Sequence, residues 1–256
     1  MTLLSVERIK LFSTRSPYWC LAIVLATALL FALLMGLITQ PDGHQAASTA
    51  SSQVGLQLGM TVFMVLAALS ITTEYRFGTI RASFLAVPNR TAVLLAKTVV
   101  IVLLGAVAAV ICGLAAFYLT KVLATSPERP LELSTGTDWR VVLGNAALFP
   151  IAGVLAVAVG TLIRHSAGAI SLLLVWAMLL ENLVQVIPTV GPKITPWLPF
   201  HAGSQFTADT SFAGGPFGGE TLASGAPTPL QGLLVFAGSA VLLWVIALIV
   251  LRRRDA

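Results

Sequence analysis

Residues able to do chemistry are sparse in this chain. Its 256 residues include three histidines and only ten Asp and Glu. His44, His165 and His201 stand in separate polar stretches, with no H-E-x-x-H pattern and no carboxylate at ligand spacing. They read as ordinary loop histidines rather than zinc ligands. Arg164-His165-Ser166 sets a base beside a hydroxyl, but neighbours on a tight turn do not face each other as nucleophile and base must. Cys20 and Cys112 lie in apolar stretches at different depths, which predicts neither a disulfide nor a metal site. G-x-x-x-x-G-K-[ST], the loop that cradles nucleotide phosphates, does not occur. The sequence therefore predicts no catalytic residue, no metal and no cofactor in this chain.

Two polar groupings remain. Glu181, with Asn182 beside it and Gln185 one turn on, is the one acidic residue deep inside an apolar stretch. A charge at the centre of a membrane helix costs roughly 2.5–3.5 kcal/mol. The strip is thus expected to face the partner permease or a translocation pathway rather than lipid, or else Glu181 has a structural role, protonated or hydrogen-bonded to the outer re-entrant segment. The second grouping runs from Glu74 to Lys97 and includes Arg76, Phe77, Gly78, Thr79, Arg81, Phe84, Pro88 and Arg90. Phe77, Ile80, Phe84 and Val87 form one apolar stripe at helical spacing, with Arg76, Arg81 and Ser83 off it. A short amphipathic helix ending at Pro88 is predicted, with Gly78 allowing a bend and Glu74 accepting from the free N–H groups of its first turn.

The elements that carry these groups follow from composition. Hydrophobic residues make up 57% of the chain and charged residues 10%, against about 25% charged in soluble domains. A polytopic all-α membrane protein is the expected fold class. Crossing a hydrocarbon core of about 30 Å takes about 20 apolar residues in a helix. Six segments qualify: Tyr18 to Ile38, Val54 to Thr73, Ala92 to Leu119, Val141 to Ile163, Gly168 to Val190, and Leu230 to Leu251. The uncharged run from Ser16 to Pro41 exceeds the 7–15 residues of a signal-peptide core, so the first span is expected to stay uncleaved.

With six spans both termini share one side. Eleven Lys and Arg fall there, from Arg8 to Arg254, and four on the other: Lys121, Arg129, Arg140 and Lys193. The asymmetry predicts cytoplasmic termini, and the net charge of +5 reflects membrane orientation rather than nucleic-acid binding. Outside, Lys121 to Arg140 is a polar link. Gly191 to Pro229 is longer and carries Ile194, Trp197, Leu198 and Phe200, then Phe206, Phe212 and Phe217. That apolar content predicts short re-entrant helices shielded by the bundle, with Trp197 and Phe200 shielded and the Gly214 to Gly219 tract as an exposed tip.

The stretch Glu74-x-x-x-Gly78-Thr79, the small and apolar run to Pro88, and the Arg90 to Lys97 start of the next span resemble the permease subunits of type-2 ABC exporters. The opening Val6-Glu7-Arg8-Ile9-Lys10-Leu11-Phe12 is similar to the N-terminal elbow helix of short bacterial members, with Val6, Ile9 and Phe12 on a charge-free face. The layout extends the resemblance over the whole chain, as one permease domain with an elbow at residues 1–16, a coupling helix at 74–88 and a re-entrant external segment at 191–229. The link from Lys121 to Arg140 is longer than in many family members.

The resemblance implies a bacterial cytoplasmic-membrane permease without a fused ATPase. It would pair with two cytosolic ABC ATPase subunits, which hold ATP and Mg, and with a second permease copy or paralogue. It implies export of a drug, peptide, lipid or glycan, with no nucleic acid involved. Glu74, Arg76, Phe77, Gly78, Thr79, Arg81, Phe84 and Pro88 would couple to the ATPase, and Asp at Phe84 or Arg81 would uncouple transport. An ion-coupled secondary transporter is the alternative, although such proteins carry several ionisable groups near the midplane. An intramembrane lipid-processing enzyme would need an acid, base or metal cluster that the sequence does not assemble.

Overall fold

The computed structural model describes residues 3–38, 48–87, 89–124, 131–188, 190–208 and 227–253. Among them there is no strand, and six helices are long and apolar enough to cross a membrane. Helix α1 (Leu3–Phe12) precedes the first span, α2 (Ser16–Ile38). A single capped turn, α3 (Thr49–Ser52), leads into α4 (Val54–Arg76), and α5 (Thr79–Ala86) connects that span to α6 (Arg90–Leu123). The fourth span is α7 (Gly136–Ile163). The fifth is Ser166–Gln185, built from α8 (Ser166–Val175), a π turn (Trp176–Leu180) and α9 (Glu181–Gln185). Then come α10 (Gly191–Ile194), a 3-10 turn (Thr195–Trp197), α11 (Pro199–Thr207) and the last span α12 (Pro229–Arg253).

Helix starts follow local chemistry. Thr135 and Asp138 form a reciprocal capping box at the start of α7, and the Asn89 side chain accepts from the Ala92 N–H at the start of α6. The fifth span stops at Gln185, five residues short of the expected Val190. Pro188, Gly191 and Pro192 break it there, as their backbone preferences require.

The bundle is built around α7, which packs on α4, α6, α8, α11 and α12. Its inward face is poor in bulk, with Gly144, Ala152, Gly153, Ala156 and Gly160 all buried. In lipid such faces allow close helix approach. Phe63 fills the middle, its ring edge against both Gly105 and Gly153, where an added Cβ would lie 2.8 and 3.0 Å away. Gly232 serves α12 the same way against α11, since a Cβ there would collide with the Ala202 carbonyl oxygen.

Side-chain contacts define two ends. At the basic end Arg252 donates to Thr91 Oγ1 at 3.1 Å, Lys10 to Ser83 at 2.9 Å, and Arg164 lies over the Tyr75 ring at 5.1 Å. At the opposite end Arg140 donates to the Ala208 carbonyl at 3.1 Å, and Leu131 packs with Phe117 and Val142. Arg8, Arg76 and Arg90 belong to the basic end with their helices, so the described residues keep the charge asymmetry that the sequence displays.

Helix α1 docks on the bundle through a charged residue. Glu7 is its buried residue and Leu11 packs on the core, whereas Ile9 is 54% exposed. Of the charge-free residues Val6, Ile9 and Phe12, Ile9 turns outward while Val6 and Phe12 are half-buried. The cause is a charge waiting inside the bundle.

Candidate functional site

That charge is Lys97. It lies seven residues into α6, about 10 Å along the helix, and is 5% exposed. Its Nζ donates to Glu7 Oε2 at 2.6 Å and to Glu74 Oε1 at 2.8 Å. Lys10 Nζ completes the cluster, donating to Glu7 Oε1 at 2.8 Å and lying 3.6 Å from Glu74 Oε1. Four ionisable groups from three helices thus neutralise one another, which is what burial of charge demands. Burial pushes the Glu7 carboxyl up, but the Lys97 charge and the hydrogen bonds from Lys10 and Lys97 outweigh it and hold Glu7 below its ordinary value. For Lys10 burial pulls downward, yet the Glu7 hydrogen bond and the Glu74 and Glu7 charges raise the amine above its ordinary value.

Sequence reasoning assigned Glu74 to the first turn of the following helix, and the structure corrects this. Glu74 is buried at the end of α4 and its carboxylate goes to Lys97. The short helix starts later, at Thr79, after Gly78 with φ of +70°. Phe77 therefore sits on the turn rather than on the helical stripe, 73% exposed, with Arg76 5.6 Å from its ring centroid. Ile80 is buried, and Phe84 packs half-buried on the core with the Arg90 guanidinium 5.4 Å from its ring. Thr79 is exposed, and its hydroxyl lies 3.4 Å from the Glu74 carbonyl. The Arg81 side chain and Pro88 lie outside the described residues. Leu85, which the sequence did not single out, is 87% exposed. Among the described residues, the exposed surface of this connection is Arg76, Phe77, Gly78, Thr79, Ala82 and Leu85.

Gly78 is needed for its backbone rather than its size, since nothing lies within 4 Å of an added Cβ. A non-glycine residue in the left-handed region costs about 1–2 kcal/mol. Gly78→Ala is expected to lower thermal stability by about that amount, and Gly78→Asn, which tolerates the conformation better, by less. Unfolding curves of the two variants in one detergent check this.

At the opposite end Glu181 is 1% exposed. Its Oε1 accepts from the Phe200 N–H at 3.1 Å and its Oε2 from the His201 N–H at 2.9 Å, with His201 Nδ1 also 3.1 Å from Oε2. These are the unsatisfied amides in the first turn of α11, and Pro199 before them has no N–H. Glu181 is thus a remote N-terminal cap, placed by the π turn that precedes it. Trp176 and Phe236 close over Phe200 with ring centroids 5.7 and 5.4 Å away. The expected polar strip is divided by burial: Glu181 is buried, while Asn182, which donates to the Met178 carbonyl at 2.8 Å, and Gln185 are exposed. Of the two aromatic residues expected to be shielded, Phe200 is buried but Trp197 is 46% exposed. The Gly214 to Gly219 tract, Phe212 and Phe217 lie outside the described residues.

No family model matches the chain, and neither does any curated protein. Among the described residues, no three His, Cys, Asp or Glu side chains gather as a metal site. The chemistry on display is charge pairing, helix capping and surface presentation.

Proposed function

We propose that this chain is the permease subunit of a type-2 ABC exporter in a bacterial cytoplasmic membrane. It works as a homodimer or heterodimer, with two separate ATPase subunits docked at its basic end. The observation that carries the reading is the connection between the second and third spans. There the turn and the short helix after it display Phe77 and Leu85, 73% and 87% exposed, next to Arg76 at the end of the span. An apolar knob with a flanking cation is suited to insertion into a groove on a partner protein. ATP-driven closure of the ATPase pair would push this knob and tilt the attached spans as rigid bodies, opening an outward route at the permease interface. The exposed polar residues Asn182 and Gln185, on an otherwise apolar span, are candidates for that interface or route.

The test replaces Phe77 and Leu85 with Asp, singly and together. Both side chains point away from the bundle, so insertion and folding should be normal. Co-purification of the ATPase subunits should fall at least tenfold in the double variant, with loss of substrate-stimulated ATP hydrolysis. Phe84→Asp, by contrast, is expected to disturb folding, because Phe84 packs on the core. Normal ATPase capture by the double variant would overturn the assignment.

The ion-coupled alternative gains one observation, the buried Glu7, Lys10, Glu74 and Lys97 cluster. The cluster lies near the basic end rather than at the midplane where coupling sites are usually built. Transport that persists in proteoliposomes without ATP and follows an imposed ion gradient would favour that reading.

A further inference from the structure

A groove of about 450 Å³ runs between α1 and the start of α6. Its wall is hydrocarbon: Leu3 and Leu4 from α1, and Ala92, Leu95, Ala96 and Val99 from α6. The four α6 positions recur at i, i+3, i+4 and i+7, so they form one stripe that descends about 10 Å from the helix start toward the membrane core. Leu4 and Leu95, 45% and 50% exposed, leave the groove open along its side.

The polar lining residues, Asn89 and Thr91, sit at its mouth, where α6 begins. Arg252, exposed at the end of α12, donates to Thr91 Oγ1 from Nε at 3.3 Å and from Nη2 at 3.1 Å, which brings its guanidinium to the same mouth. Arg253 follows it, and Arg8 stands one turn from Leu4 on the same face of α1; both are exposed. Among the described residues, the carboxylates at this end are Glu7 and Glu74, buried and drawn to Lys97 and Lys10. The mouth is therefore positive, with hydrocarbon beneath it. Tyr18 and Trp19, 57% and 69% exposed near the start of α2, mark the headgroup level at this end, as amphipathic rings do at membrane interfaces.

Arginine above and an apolar stripe below match a molecule with a phosphate head and a hydrocarbon tail. A peptide or a sugar would leave amides or hydroxyls unpaired against the wall. We propose that this groove seats one anionic phospholipid of the surrounding membrane. Its phosphodiester is held by Arg252 and the Asn89 amide, Arg253 and Arg8 add to the positive field, and one acyl chain lies along the α6 stripe. The proposal rests on the groove and its rim alone and does not depend on the transport reading.

The test is native mass spectrometry of the full chain in detergent, titrated with dioleoyl phosphatidylglycerol or dioleoyl phosphatidylcholine, which share their tails and differ in head charge. One phosphatidylglycerol is expected to bind at least tenfold more tightly than phosphatidylcholine. Arg252→Gln should narrow that preference to less than threefold, whereas Lys121→Gln, which removes the same charge at the opposite end, should leave it unchanged. Ala92→Phe fills the groove without altering charge and should weaken phosphatidylglycerol binding at least tenfold. If the larger ring prevents folding, Leu95→Ser at the half-exposed wall takes its place, with at least a threefold loss expected. Equal affinity for the two lipids, an equal loss of preference in Lys121→Gln, or phosphatidylglycerol binding that survives the groove variant would overturn the proposal. So would loss of a dimer mass in Ala92→Phe with lipid binding unchanged, which would make the groove an interface between copies of the chain.

Discussion

Lys97→Met should destabilise the protein by about 3–5 kcal/mol, as expected for breaking a buried ion pair from one side. The cost arises because Glu7 and Glu74, 4% and 9% exposed, would lose the ammonium that lies 2.6 and 2.8 Å from their carboxylates. Adding Glu7→Gln to Lys97→Met should recover a substantial part of the loss, because the remaining carboxylate still has Lys10 nearby. An aliphatic side chain of similar length keeps the packing, so the comparison isolates charge. Unfolding of the three proteins in one detergent measures both effects, and a loss below 1 kcal/mol for Lys97→Met would show that the cluster is not the tie between α1 and the bundle.

The same cluster fixes a pH window. Glu7 has a folded pKa below its ordinary value of 4.5, so its contribution is complete above that value and is lost as pH falls through the depressed one. Lys10 has a folded pKa above its ordinary 10.5, so its contribution is complete below 10.5 and is lost as pH rises through the raised one. Undocking of α1, followed by protease access to residues 3–16, should therefore begin on the acid side below about pH 4.5. Lys97→Met should shift that onset to higher pH.

Glu181→Ala is expected to cost about 3 kcal/mol and to free the segment from Gly191 to Thr207. The carboxylate caps two backbone amides, and hydrogen bonds to a charged acceptor contribute about 1.5–3 kcal/mol each. Glu181→Gln should retain roughly half of the stability. Its single carbonyl oxygen can still accept one amide, but its NH₂ would confront another donor. Hydrogen exchange at Phe200 and His201 reads the effect directly: both amides should exchange at least tenfold faster in the Ala variant. Unchanged protection would mean that the packing of Phe200 between Trp176 and Phe236 holds α11 without the cap.

The spans were legible in the sequence because each is a local property. A run of about 20 apolar residues must satisfy its backbone within itself in lipid, so helix and length follow without knowledge of neighbours. All six expected spans lie within about five residues of the observed ends for that reason. Only the fifth was read past its true end, where Pro188 and Gly191 break the helix. The division of Lys and Arg was equally readable, since it is a count along the chain. What the sequence could not decide was which polar groups meet. Glu7 and Lys97 are 90 positions apart and Glu181 and His201 are 20 apart. No periodicity links such pairs, and only the packing of α1 on α6 and of α11 against the fifth span brings them together. That is why Glu74, which along the chain looks like the start of a surface helix, is a buried ion-pair partner. It is also why Ile9 of α1 faces out: one inward lysine outweighs a weak apolar stripe, because leaving a buried charge unpaired costs more than exposing Ile9.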